Sequence, residues 1–270
     1  MDDAIQRLGL LDDEAIPLDE AALLVATLDH PHIDIDDYLD QIAGMAAQLL
    51  ARGQRAVGGR ERAELLAELI HRDYGYHGDS ADYDNPANAD LIAVIDRRRG
   101  LPVALSVVYV AVARRIGWAA DPLNMPGHVL VRLGREPDAV ILDPFDGGAL
   151  LDGAGLARLI ARVVGSHATV EPEHLTALSN RAVLVRLLSN QAARARRAGD
   201  LDRALVLHER MTSFAPSFTG LWWERARLEQ LLGRARSARA SLGAMLETTR
   251  DPALRSRIRA ALDALARSIN

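Results

Sequence analysis

The sequence predicts a mostly helical α+β protein: helices first, then one central helix on a small antiparallel sheet, then an array of helical hairpins. Three observations carry this. Residues 102–113 are apolar almost without interruption, and a helix that is apolar all round has to be buried all round. The runs Gly127–Leu133 and Ala139–Gly148 flank the turn Gly134-Arg135-Glu136-Pro137-Asp138, the pattern of two short strands. The C-terminal third repeats itself with a thirty-four-residue period, the length of a two-helix unit.

Taken in order, residues 1–16 alternate weakly between polar and apolar and read as a loosely held arm. A short helix is expected over 18–28, with Asp19 and Glu20 in its first turn. The stretch from Asp29 to Asp37 sets His30 and His32 among aspartates. Pro31 breaks the spacing that would aim both imidazoles at one metal ion, so the aspartates are assigned as caps of a helix over 38–51. An amphipathic helix runs from about residue 60 to residue 74, apolar at Leu65, Leu66, Leu69 and Ile70. Residues 75–88 are rich in turn formers. Asp79, Asp82 and Asp84 lie there without the glycine and closing glutamate of a calcium loop. Asn88 is expected to cap a helix over 90–98.

The central helix is marked at both ends. Gly100 precedes it, and Pro102 suits its first turn, where a missing N–H costs nothing. Arg114 and Arg115 suit its last turn, and Gly117 its left-handed cap. It is shorter than the ~20 residues a bilayer span needs, so it is a core helix. Beyond the strands, residues 151–164 return to helix, and the polar stretch 166–173 is a plausible boundary. In the tail, Leu188, Ala192, Gly199, Ala204 and Met211 are matched by Trp222, Ala226, Gly233, Ala238 and Met245. Period, turn glycine and second-helix alanine are those of a tetratricopeptide repeat, with Pro216 and Pro252 after each second helix. Two such units need a packing partner or a capping helix over 252–268.

Composition narrows function. The net charge of −5 gives no overall attraction to nucleic acid or to anionic membrane, and the C-terminal arginines alternate with other residues as solvated helix faces do. The chain has no cysteine, which removes disulfides, thiolate metal sites and thiol nucleophiles. The acidic start is unlike a secretory signal, so a cytoplasmic protein is expected, with no cofactor and no metal.

The stretches Arg98–Ser106, Pro126–Arg132 and Asp143–Gly148 resemble the three signature segments of the bacterial SirB-type proteins, the YchA group. Tyr74–Gly78 and Tyr83–Pro86 fit the same pattern, and the resemblance runs from about Leu18 onward. It implies a transglutaminase-like (papain-like) core followed by a tetratricopeptide segment. The expected division is 1–173, with the core at about 84–165, and 174–270. The resemblance places the nucleophile position at Pro102, the base at His128 and the orienting carboxylate at Asp143. Proline supplies neither nucleophile nor N–H. The expected function is therefore a pseudoenzyme that binds a protein or peptide through the repeats and the vestigial cleft. Trp223 is the candidate partner contact, and Trp222 is assigned to packing within the repeat. The alternative is a hydrolase or acyl-transfer enzyme using Ser106 with His128 and Asp143. A serine in mid-helix commonly bonds its own backbone instead.

Overall fold

In the computed structural model, which describes residues 2–269, the apolar run is a helix over Pro102–Arg115 with every residue from Pro102 to Ala113 buried. Proline stands at its first turn, and Gly117 follows with φ of 81°. Two compact units share the chain, Asp13–Leu187 and the described parts of Met1–Asp12 with Leu188–Asn270. The expected division at 173/174 falls inside the first unit.

The N-terminal arm is helical: α1 (Asp2–Leu10) buries Ile5 and Leu8 and packs on a later helix of its own unit. This corrects the expectation of a loosely held arm. Its apolar residues fall at helical spacing, which the weak alternation in the sequence concealed. In the other unit, α2 (Leu18–Ala26), α3 (Asp36–Gly53) and α4 (Gly58–Ala67) follow, and α4 continues as a π-helical turn, Glu68–Asp73. Next come β1 (His77–Gly78), α5 (Leu91–Arg97), β2 (Arg99–Gly100) and the core helix, α6 (Pro102–Arg115). The cap of α5 is Asp90, whose side chain accepts from the Ala93 N–H, and not Asn88. Asn88 is fully buried, and its amide oxygen accepts from Arg97 at 3.0 Å.

Four antiparallel strands follow in sequential order: β3 (Ala120–Leu123), β4 (Leu130–Leu133), β5 (Val140–Asp143) and β6 (Ala149–Leu151). The two central strands are the expected pair, with Val131 opposite Leu142 and Leu133 opposite Val140. The outer two were not foreseen. Pro122 argues against a strand in the sequence, yet it is tolerated on an edge strand, where one side needs no ladder bond. Helix α6 packs on β3 and β4 on one side and on α2 and α3 on another. This explains why it tolerates no polar face. Helix α7 (Gly153–Val163) lays Leu156, Leu159 and Ile160 against Leu123, Met125 and Leu130.

The C-terminal helices are α8 (Asn180–Arg197), α9 (Leu201–Phe214), α10 (Thr219–Leu231), α11 (Ala235–Thr248) and α12 (Pro252–Ile269). They form helical hairpins whose matched positions do matched work. Ala204 and Ala238 are both buried, as are Met211 and Met245, and Gly199 and Gly233 turn the chain with positive φ. No helix among the described residues is long and apolar enough to cross a membrane.

Candidate functional site

The two residues assigned to base and orienting positions meet. Asp143 ends β5 and caps the short 3-10 turn Pro144–Asp146, its Oδ1 accepting from the Phe145 N–H at 3.0 Å and the Asp146 N–H at 3.4 Å. The same oxygen lies 2.8 Å from His128 Nε2. An oxygen that already accepts two N–H groups acts as an acceptor, so Nε2 carries the imidazole proton and Nδ1 is left as the bare nitrogen. Nδ1 has no hydrogen bond among the described residues. Both side chains are nearly enclosed, His128 at 6% and Asp143 at 3% exposure.

The loop ahead of β4 aims the imidazole. Gly127 takes φ of 63°, and a Cβ there would lie 2.5 Å from Val163 Cγ1, so only glycine fits. Arg186 on α8 then pins the loop. Its Nη2 donates to the His128 carbonyl at 2.7 Å and the Met125 carbonyl at 3.0 Å, and its Nη1 donates to Asn124 Oδ1 at 2.8 Å. Burial pushes the guanidinium pKa down from its ordinary value. Phe145 meets the His128 ring edge-on at 5.9 Å, and Tyr83 meets Phe145 at 5.8 Å. Sequence reasoning assigned no role to Arg186, Phe145 or Tyr83. The last two lie inside the quoted motifs, but Arg186 is reached only by long-range folding.

The nucleophile side is different. Pro102 is buried in the first turn of α6, and no side chain caps that helix end. Ser106 is fully buried, and its Oγ donates to the Val103 carbonyl at 2.7 Å. The structure therefore brings His128 and Asp143 together, while the Ser106 hydroxyl bonds its own helix and no other group among the described residues. Deeper in α6, the Tyr109 hydroxyl is buried with no hydrogen-bond partner among the described residues. Burial, and then the nearby Asp143 carboxylate, push its pKa up.

The other singled-out residues lie elsewhere. His30 Nε2 pairs with Asp90 Oδ2 at 3.0 Å, while His32 is exposed, and no group of three possible ligands among the described residues can hold a metal ion. Asp79 pairs with Arg97 at 2.9 Å and accepts the Asp82 N–H at 3.1 Å, closing a turn. Trp223 is half-buried beneath the Arg257 guanidinium, 4.7 Å from its ring centroid. Trp222 is half-buried too, and its Nε1–H donates to the Pro216 carbonyl at 2.8 Å.

The model of the transglutaminase-like superfamily matches residues 34–189. A UPF0162 protein of Xylella fastidiosa (strain Temecula1) is 30% identical, over 78% of this chain and 76% of that one. A second, from strain 9a5c, is 28% identical over 89% of this chain and 86% of that one. F-box only protein 21 of Mus musculus is 30% identical over 53% of this chain and 23% of that protein.

Proposed function

The chain belongs to the transglutaminase-like superfamily and to the UPF0162 family within these comparisons, and from that premise we propose that it is a SirB-type pseudoenzyme, a cytoplasmic protein- or peptide-binding module. The observation that carries this reading is the composition of the start of α6. A thiol there would be activated by the helix N-terminus and a neighbouring imidazole. Pro102 offers no nucleophile, and no cysteine exists anywhere in the chain.

Binding is assigned to the C-terminal hairpins, read as tetratricopeptide repeats, and to the vestigial site at the nearly enclosed His128–Asp143 pair. Trp223, capped by Arg257, supplies the aromatic and cationic surface that protein interfaces favour. The intact His128–Asp143 pair is the one feature that favours an enzyme instead. Against that stands Ser106, whose hydroxyl proton goes to the Val103 carbonyl.

A panel of ester and amide substrates, assayed with the full chain and with His128→Ala, tests the proposal. Both proteins are expected to give background rates. Turnover that disappears in His128→Ala overturns the pseudoenzyme reading. For the binding half, a protein captured by the full chain should be lost on Trp223→Ala, and capture unchanged by that substitution removes Trp223 from the interface.

A further inference from the structure

The C-terminal hairpins differ at one matched position. The thirty-four-residue shift that sets Ala204 on Ala238 and Met211 on Met245 also sets His208 on Leu242. Leu242 is 2% exposed and packs with Ala226, Ala238 and Met245. At His208 the same place in the repeat holds an imidazole. Its Nδ1 is buried with no hydrogen-bond partner among the described residues. The ring also bonds the Leu221 backbone on α10, and this bond favours the charged form, so the imidazole donates to the Leu221 carbonyl. With Nδ1 unpartnered, the donor is Nε2, and Nδ1 keeps its lone pair.

A proton added to Nδ1 would make it an enclosed donor without an acceptor. Burial pushes the His208 pKa below its ordinary value. Glu224 on α10 pulls against that, and Arg196 on α8 reinforces it. The three helices share one apolar cluster. Glu224 is already engaged, by Arg196 at 3.2 Å and by Arg227 at 3.7 Å. On α9 itself, Glu209 lies 3.7 Å from Arg225, and Arg210 follows it. Helix α1, which packs on α9, brings Arg7. The carboxylate that acts on the ring therefore already has two guanidinium partners.

We propose that His208 is a pH-sensitive latch in the hairpin array: neutral, it holds α9 against α10, and protonated, it loosens them. The ring takes a proton less readily in the folded chain than in the unfolded one. Its stabilisation is therefore complete above about pH 6.5 and is lost as the pH falls. The device is local. His208 is the one histidine within residues 1–12 and 188–270, the span of this unit, and ordinary carboxylates titrate near about pH 4. It does not depend on whether the hairpins bind a partner.

Amide hydrogen exchange of the full chain, corrected for its intrinsic pH dependence, tests the latch at about pH 7.5 and about pH 5.5, either side of the ordinary histidine value. Wild-type α9 and α10 should lose about fivefold in protection between the two, within the roughly tenfold per pH unit that one proton allows. His208→Leu, which installs the residue of the matched position, should show no such loss. A second measurement needs no change in packing. NMR titration of the wild-type chain carrying isotope-labelled histidine, with the His208 ring assigned through His208→Gln, should give a midpoint below about 6.5. No loss of protection in the wild type, equal loss in the wild type and His208→Leu, or a His208 ring titrating at or above the ordinary value overturns the proposal.

Discussion

The start of α6 and the neighbouring ends of β4 and β5 are built on different principles. On the helix side no side chain caps the first turn, and the Leu101 N–H is held by the Asn88 backbone carbonyl at 2.8 Å. Pro102 needs no partner, and Ser106 and Tyr109 point into packed surroundings. On the strand side, one carboxylate oxygen of Asp143 receives the His128 ring and two backbone N–H groups, so it ties a turn, a strand end and a loop together. The contrast teaches that an imidazole–carboxylate pair can be structural without any nucleophile beside it. A thiol at the helix start would have no comparable structural duty. The pair by itself is therefore weak evidence for catalysis.

That contrast can be broken by substitution. Asp143→Ala should cost the most, about 3–5 kcal/mol in urea denaturation, because it strands a buried imidazole and two N–H groups. Gly148→Ala comes next at about 2–3 kcal/mol. Its φ is 78°, and the new Cβ would sit 2.6 Å from Ala67 Cβ. On the helix side, Tyr109→Phe should raise stability by about 1 kcal/mol, since the lost hydroxyl is buried without a partner. Ser106→Ala should cost less than about 1 kcal/mol, measured in the same way, because its hydroxyl only duplicates a helical carbonyl bond. If Ser106→Ala or Tyr109→Phe proves as damaging as Asp143→Ala, the division between the two sides is wrong.

How much was legible follows from where each signal lives. The core helix announces itself because Gly100, Pro102, Arg114, Arg115 and Gly117 punctuate a run that no other element could bury. The central strands are legible for the same local reasons, and the hairpin array through repetition. The outer strands are not. Pro122 contradicts local propensity, and Ala149–Leu151 is too short to show alternation. The cap at Asp90 was misplaced by two residues because Asn88 is an equally good cap by type, and only its burial against Arg97 separates them. At the site, His128 and Asp143 were reached through resemblance. The Arg186 clamp joins residues far apart in the chain and has no local signature.

The Phe145 ring has a consequence of its own. It meets the His128 imidazole edge-on and also lines a cavity of about 680 Å³ beside His71 and Gly147, so a single side chain samples two neighbouring environments. Fluorine placed on that ring would act as a built-in gauge, its resonance reporting a change on either side.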